Sequence, residues 1–312
     1  MSLVKKVVYL YSPSGAVRDR AAFKRGVRRL TELGYDVEVD QDALTRFERF
    51  AGDDATRIRA VERAANSGAD VALITRGGYG ITRVIDRLPY TSIASAIENG
   101  TQFVGISDFT ALQLALFAQT GARTWAGPAL CEGFGVGGVS AETPDDIMED
   151  CFADLLMGQG EGTGWRQDRN GHISETDFVI EDATLWGGNL TVLTTLIGTP
   201  YFPDIRGGVL FLEDVAEHPY RIERMLTQLM RSGVLARQRA IVLGQFSAYK
   251  LTPHDSGFGL PKVIGWLRNQ LNIPVYTNLP YGHVPTKVLL PFGLKVDLTS
   301  SGKDVLLYWG HH

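Results

Sequence analysis

The sequence predicts an α/β protein, with an N-terminal α/β domain on a parallel sheet and a C-terminal, β-rich domain of mixed α/β character. Short β-branched runs alternate with helical patterns over the first 140 or so residues, which is typical of a parallel sheet covered on both faces. The pattern then shifts towards strands. Because 312 residues suffice for two domains, we place these at residues 1–155 and 165–310, around a polar, glycine-rich segment.

Four strands and five helices are predicted in the N-terminal part. The strands are "KKVVYLYSP", "YDVEVD", "ADVALITRGG" and "TQFVGIS". The helices are "DRAAFKRGVRRLTELG", "DATRIRAVERAANSG", "ITRVIDRLP", "DFTALQLALFAQTG" and "AETPDDIMEDCFADLLMGQG". Gly34 and Gly158 are stop signals for two of these helices, since glycine readily adopts the left-handed conformation that ends a helix.

The C-terminal part mixes strands with two long helices. We predict strands in "DFVIEDATLWGGNL", "GGVLFLEDV", "AIVLGQF" and "IPVYTNLPYG", and helices in "PYRIERMLTQLMRSGVL" and "GLPKVIGWLRNQLN". The last segment, "KVLLPFGLKVDLTSSGKDVLLYWG", is predicted to form a terminal hairpin.

Bulk composition argues against several classes of function. The formal net charge is −4, with no basic tract of the kind that marks nucleic-acid or membrane binding. Cys131 and Cys151 lie outside any CxxC motif, so we predict two reduced thiols, with no metal and no cofactor. The N-terminus resembles a first strand more than a signal peptide, which predicts a cytoplasmic location. His311 and His312 look like a tag remnant and are set aside.

One serine, in "FVGISDFTAL", lies between a predicted strand and a predicted helix. In open α/β sheets, ligands bind beyond the carboxyl ends of the strands, which is where Ser107 falls. It therefore resembles a nucleophile at a sharp strand-to-helix turn, although the pattern is GxSD and not GxSxG. The alternative is that Ser107 or Asp108 simply caps the helix. The local sequence leaves both interpretations open.

A nucleophilic serine requires a base and a group that orients the base. His283, in a loop after an apolar strand, is the first candidate for the base, and His218 is the second; His172 and His254 lie in polar loops. For the orienting carboxylate, an apolar strand runs directly into "ED", Glu213 and Asp214. These acids equally suit a cap of the helix that follows.

The glycine-rich stretch "TRGGYGITR" follows a predicted strand, and its backbone amides could approach a ligand closely. A nucleotide phosphate is one candidate ligand, yet neither GxxxxGK[ST] nor GxGxxG is present. Asp40, at the end of the second strand, keeps a nucleotide-binding function open. The other candidate is an oxyanion facing Ser107. Arg76 suits a substrate carboxylate, because its planar fork matches two oxygens.

Five motifs occur in a fixed order: "RGGYG", "GISDFTAL", "LWGGNLTVLTTLIGTP", "LFLEDVAEHPYRIERML" and "GHVPTKVLLPFG". Together they resemble the LD-carboxypeptidase family, serine peptidases that include murein tetrapeptide carboxypeptidases and the microcin C immunity proteins. The resemblance extends from about residue 7 to about residue 300. It implies two domains with the active site between them.

The resemblance also implies residue roles. Ser107 corresponds to the nucleophile, Glu213 to the carboxylate and His283 to the base. An oxyanion hole would be formed by two backbone amides, which we assign to Gly78 and Asp108.

The resemblance further implies a substrate: a muropeptide tetrapeptide that loses its terminal D-alanine during cell-wall recycling. We assign substrate binding to Arg76, Gly77, Tyr79 and Trp186. Trp186 leaves open a microcin-type hydrolase of peptidyl or aminoacyl nucleotides, since an indole can stack on a base; its alternative role is packing at the domain interface. A non-catalytic muropeptide-binding protein is a further alternative. The resemblance suggests a homodimer.

Overall fold

A computed structural model describes residues 5–138, 143–168 and 178–310. Within these ranges the chain forms two sheets, of six and seven strands. The strands are β1 (Val7–Tyr11), β2 (Asp36–Val39), β3 (Val71–Ile74), β4 (Gln102–Gly105), β5 (Thr124–Ala126), β6 (Gly162–Arg166), β7 (Phe178–Asn189), β8 (Val209–Val215), β9 (Ala240–Ser247), β10 (Val275–Tyr276), β11 (Leu290–Phe292), β12 (Lys295–Ser301) and β13 (Asp304–Tyr308). The α-helices are α1 (Arg20–Glu32), α2 (Asp54–Ala65), α3 (Tyr90–Glu98), α4 (Phe109–Thr120), α5 (Asp146–Met157), α6 (Leu190–Thr195), α7 (Pro219–Arg231) and α8 (Leu260–Gln270).

The first sheet has the order β11-β5-β4-β3-β1-β2, and β1 to β5 run parallel. In its centre, β3 is buried on both faces, as its uninterrupted sequence "VALI" predicts. The predicted parallel α/β architecture is confirmed. The four predicted strands match β1 to β4, which all end at the same edge of the sheet.

One local prediction in this region was wrong, and two elements were not predicted. The stretch "ITRVIDRLP" forms two short 3-10 turns, Ile81–Arg83 and Ile85–Arg87, instead of a helix. The α-helix follows Pro89, as α3, and neither α3 nor the three-residue β5 was predicted. Proline disfavours a helical conformation in the residue before it, which explains why the helix begins after Pro89.

The second sheet has the order β10-β9-β8-β7-β12-β13-β6. Strands β7 to β10 pair in parallel, while β7, β12, β13 and β6 pair antiparallel. This arrangement confirms the predicted mixed α/β character. Helix α7 begins with Pro219 in its first turn, where proline is favoured because it lacks an N–H that needs a partner.

The predicted terminal hairpin is only partly right. β12 and β13 form it, but β11 leaves the second sheet and pairs antiparallel with β5, with Leu290 opposite Ala126. A strand from the C-terminal region therefore completes an edge of the first sheet. The domain limits at residues 155 and 165 stay predictions.

A direct contact joins the first sheet's α4 to the second sheet's β7. The hydroxyl of Thr110 accepts the backbone N–H of Asn189 at 3.0 Å. A Cβ at Gly188 would lie only 2.5 Å from that hydroxyl oxygen, so glycine permits the close approach. The helix that begins after Ser107 is thus fixed to the end of β7.

Three further predictions concern single features. Cys131 and Cys151 are both free thiols, as predicted. Among the described residues, no helix has the length and apolar character needed to cross a membrane. Residues 169–177 of the polar, glycine-rich segment, which include His172, lie outside the described residues, as do His311 and His312.

Candidate active site

Ser107 occupies the turn between β4 and α4 with a φ of 66°, the left-handed conformation that non-glycine residues rarely adopt. Such a conformation costs about 1–3 kcal/mol and is typical of functional sites. No side chain caps α4: Asp108 holds the N-cap position without a capping hydrogen bond, and Ser107 Oγ has no hydrogen-bond partner within the described ranges. The capping interpretation is therefore wrong for both residues.

Gly77 is the residue that makes room for the serine. A Cβ at this position would lie 2.5 Å from Ser107 Cβ and 2.8 Å from Ser107 Oγ. No real Cβ tolerates such distances, so only glycine fits here without moving Ser107. The next residue, Gly78, has a φ of 100°, which also favours glycine.

The side chain of Asp108 binds the glycine-rich loop to the serine turn. One of its oxygens accepts hydrogen bonds from Ser14 Oγ at 2.5 Å and from the backbone N–H of Ile81 at 2.8 Å. Burial raises the pKa of this carboxyl group, while these hydrogen bonds act in the opposite direction. The backbone N–H groups of Gly78 and Asp108 donate no hydrogen bond within the described part of the chain, so both are available to a ligand.

His283 and Glu213 form a close pair, with 2.8 Å between His283 Nδ1 and Glu213 Oε2. Glu213 is fully buried at the end of β8, and Asn189 donates to its other oxygen at 3.1 Å. An ionised carboxylate only accepts, so in the neutral imidazole Nδ1 carries the proton and Nε2 keeps its lone pair. Burial lowers the pKa of His283, but the hydrogen bond and charge of Glu213 outweigh it, and the net pKa lies above its usual value.

The neighbouring Asp214 contacts the start of α6 instead of a histidine. It accepts hydrogen bonds from the N–H and hydroxyl of Thr191, both at 2.8 Å, and from Asn189 at 3.1 Å. Burial, followed by repulsion from Glu213, raises the pKa of Asp214 to about 6. The two adjacent acids therefore have different partners: Glu213 contacts the imidazole of His283, and Asp214 contacts the start of α6.

A cavity of about 540 Å³ opens beside the His283–Glu213 pair. Its wall includes His283, Arg76, Glu132, Lys287 and Ile106, the residue before the serine. His283 Nε2, like Ser107 Oγ, makes no hydrogen bond within the described residues. The serine and the histidine thus have free reactive atoms, and the hydrogen bond between them is not formed in this structure.

The residues that we assigned to the substrate have different environments. Arg76 lines the cavity, but it forms an ion pair with Glu132 at 3.5 Å and donates to the Ala16 carbonyl at 3.4 Å. Tyr79 is 47% exposed and packs against Phe50, outside the cavity wall.

Trp186 is only 1% exposed, which contradicts its assignment to a substrate site. Its indole N–H donates to Gln238 at 3.0 Å, and its ring packs against Phe202. Both contacts are internal to the C-terminal region. An apolar ring with its one donor satisfied is a core residue.

Two other side chains that were considered as functional groups make contacts away from the cavity. His218 caps α7 and contacts Asp255 at 3.1 Å, away from the cavity that holds His283. Asp40 is 2% exposed and binds Arg63 and the hydroxyl of Tyr9, each at 2.7 Å. These contacts leave Asp40 unavailable to the ribose of a nucleotide.

Sequence reasoning missed three residues at this site: Asn189, Lys287 and Ser14. Asn189 contacts both Glu213 and Asp214, and its position after two glycines in "LWGGN" could have indicated a strand end. Lys287 follows His283 by four residues in "GHVPTK" and faces the same cavity. Neither Lys287 nor Ser14 belongs to a pattern that would have pointed to it.

Known proteins with similar sequences point to one family. Residues 8–127 match the model of the LD-carboxypeptidase N-terminal domain, and residues 182–298 match that of the LD-carboxypeptidase C-terminal domain. A Synechocystis protein named for carboxypeptidase activity is 31% identical over 92% of this chain and 89% of its own length. The microcin C7 self-immunity protein of Escherichia coli is 26% identical over 94% of this chain and 90% of its own.

A solved structure with a similar fold also carries a carboxypeptidase name. The crystal structure of a muramoyltetrapeptide carboxypeptidase from Oxalobacter formigenes superposes with a TM-score of 0.85 and 37% sequence identity. The match covers 98% of this chain and 99% of that structure. With both domain models matched in order, this chain belongs to the LD-carboxypeptidase family of serine-type carboxypeptidases.

Proposed function

We propose that the protein removes the terminal D-alanine from murein tetrapeptides, with Ser107 as nucleophile, His283 as base and Glu213 as orienting carboxylate. The observation that supports this most is the 2.8 Å contact between His283 Nδ1 and Glu213 Oε2, at a cavity whose wall includes the residue before Ser107. In the neutral imidazole this contact places the proton on Nδ1 and leaves the lone pair on Nε2, which is the state that a general base requires.

The proposed reaction passes through an ester on the serine. His283 Nε2 takes the proton of Ser107 Oγ as the oxygen attacks the carbonyl carbon of the scissile amide. The N–H groups of Gly78 and Asp108 stabilise the tetrahedral oxyanion, an effect of about 3 kcal/mol per donor. The imidazolium, stabilised by Glu213, then protonates the leaving amine. Water, deprotonated by His283, hydrolyses the acyl-enzyme and restores the serine.

The substrate assignment rests on the family and on one negative observation. The Oxalobacter relative, 37% identical, bears the name muramoyltetrapeptide carboxypeptidase, which supports a bond between an L-centre and D-alanine. The competing microcin-type activity relied on Trp186 stacking on a nucleotide base, and that ring is buried in the core. We further propose that the enzyme acts in the cytoplasm as a homodimer, in the recycling of cell-wall peptides.

Mass spectrometry of L-Ala-D-Glu-meso-diaminopimelate-D-Ala, incubated with the wild type and with His283→Ala, tests the proposal. We expect loss of one D-alanine with the wild type only. If the wild type leaves the tetrapeptide intact, the murein assignment is wrong, and hydrolysis of aminoacyl-sulfamoyl nucleotides becomes the next assay. A diastereomer that ends in L-alanine controls for the stereochemistry of the bond.

The pH dependence of kcat/KM is expected to reflect the raised pKa of His283. Activity requires the neutral imidazole, so it is lost as the pH falls through that pKa. Because Glu213 raises the pKa, the acidic limb of the profile should have its midpoint above the ordinary imidazole value of about 6.5. Assays from pH 5 to 9, with thermal unfolding at each pH, measure this. A midpoint at or below 6.5 in folded enzyme would contradict it.

Gly77→Ala is expected to lower kcat/KM by at least about 100-fold, because the new Cβ displaces the nucleophile and misplacement by about 1 Å has that effect. Steady-state release of D-alanine measures the loss. Gly265→Ala is the matched control: this glycine lies within α8 with nothing within 4 Å of the position of a Cβ. It should retain full activity, and equal activities of the two variants would exclude the steric role of Gly77.

A further inference from the structure

The cavity beside His283 is lined by four cationic side chains besides the histidine: Arg18, Arg25, Arg76 and Lys287. Arg25 pairs with Asp19 at 3.5 Å and donates to the carbonyl of Gly135. Arg76 pairs with Glu132. Arg18 is exposed at the rim. Lys287 is the buried cation of this wall that forms no ion pair among the described residues, although the charges of Glu132, Asp145 and Glu213 act on it from a greater distance.

Lys287 is 3% exposed, yet it forms no hydrogen bond and no ion pair within the described ranges. Buried lysines are almost always paired, because an unpaired ammonium group loses its hydration without compensation. Burial accordingly lowers the pKa of Lys287. A buried ammonium group without an ion pair, at the wall of the cavity that holds His283, is suited to bind an anionic group of a ligand.

The position of Lys287 relative to the base is fixed by the chain. It follows His283 by four residues in one loop, which is anchored on either side. Ser247 Oγ donates to the His283 carbonyl at 3.1 Å, and Thr286 Oγ1 donates to Asp145 at 2.6 Å. Lys287 and His283 therefore line the same cavity, on one anchored loop.

We infer that Lys287 binds the free α-carboxylate of the residue that the enzyme releases, and so makes it a carboxypeptidase rather than an endopeptidase. The inference rests on the proposed function. In the residue that leaves, the carboxylate is separated from the scissile nitrogen by a single carbon atom. Its anchor must therefore lie in the same cavity as the base, as Lys287 does. Arg76 is the weaker candidate, because Glu132 and the Ala16 carbonyl already engage its guanidinium group.

The test compares the free tetrapeptide with its C-terminal amide, which keeps the scissile bond and removes the charge. For the wild type we expect kcat/KM to be at least about tenfold higher with the acid, since a charged hydrogen bond is lost with the amide. Lys287→Met should lose about 10- to 100-fold on the acid and little on the amide, so that the ratio falls close to 1. Lys287→Arg should restore part of the preference.

Two controls separate this role from a structural one. Lys262→Met removes an exposed lysine of α8 and should leave both substrates unchanged. Lys287→Met should also unfold at a temperature equal to or higher than that of the wild type, since it removes a buried charge that has no partner. An activity loss accompanied by a lower unfolding temperature would point to structural damage and overturn the inference.

The remaining outcomes are distinct. If the wild type cleaves both substrates and Lys287→Met leaves the acid-to-amide ratio unchanged, the inference is wrong and the proposed function stands. A third outcome is that Lys287→Met loses activity equally on the acid and the amide, and that this loss disappears when the diaminopimelate of the substrate is replaced by lysine. Lys287 would then bind the side-chain carboxylate of diaminopimelate, on the acyl side of the scissile bond, and its assignment to the terminal carboxylate would be wrong. If the wild type cleaves neither substrate, the proposed function fails, and the inference with it.

Discussion

Ser107→Ala is expected to lower the turnover of the tetrapeptide by about 10⁴-fold or more, with the fold intact. Removing the nucleophile of a triad leaves only the contributions of substrate binding and the oxyanion donors. The measurement is single-turnover release of D-alanine, checked by the absence of an acyl-enzyme in the intact-protein mass spectrum. Retention of wild-type turnover would exclude Ser107 as the nucleophile.

The left-handed backbone at Ser107 offers a matched second variant. Ser107→Gly removes the same hydroxyl but relieves the strain of a φ of 66°. It should be equally inactive, and more stable than Ser107→Ala by about 1 kcal/mol, which corresponds to about 2 °C in Tm for a chain of this size. The activities of the two variants then measure the contribution of the hydroxyl group, while their unfolding temperatures measure the strain in the turn. Equal stability of the two variants would show that the turn is not strained.

Glu213→Gln is expected to lower kcat by about 10⁴-fold, because the glutamine would stabilise the tautomer of His283 that cannot act as the base. Asn189 already donates to Oε1 of Glu213, so a glutamine would turn its carbonyl towards Asn189 and its NH₂ towards His283 Nδ1. Nδ1 would become an acceptor, and the proton would move to Nε2, where the base must have a lone pair. NMR of the ring nitrogens, alongside kcat, measures both effects.

Asp214→Asn is the comparison for Glu213→Gln. It removes a neighbouring negative charge, but its contacts are Thr191 and Asn189 instead of the imidazole. We expect less than about a tenfold effect on kcat, together with some loss of stability from weaker contacts to α6. If Asp214→Asn lowered kcat more than Glu213→Gln, the roles that we assign to the two acids would be wrong.

Local sequence patterns predicted most of the first sheet and the position of Ser107. The alternation of strands and helices determines both, because each element and the turn after it are contiguous in the chain. Strand β11 could not be predicted in the same way. Its pairing with β5 joins residues far apart in sequence, and an isolated three-residue strand carries no periodicity of its own.

The active site was harder to predict than the fold. Only the family resemblance implied that Glu213 and His283 act together with Ser107. No local sequence pattern predicts that the end of β8 lies near a loop seventy residues later in the chain. Trp186 was misassigned because a tryptophan between apolar residues fits a core and a ligand surface equally well. Lys287 was overlooked because lysine in a polar, proline-bounded loop is normally exposed.

The pairing of β11 with β5 has a consequence for the time at which the enzyme becomes competent. On the ribosome, β1 to β5 emerge first, but this sheet keeps an open edge until residues 290–292 arrive, after five strands of the other sheet have been made. His283 and Lys287 emerge just before that closing strand. In the proposed mechanism, the turn that carries Ser107 can therefore form before His283, its proposed base, has been synthesised.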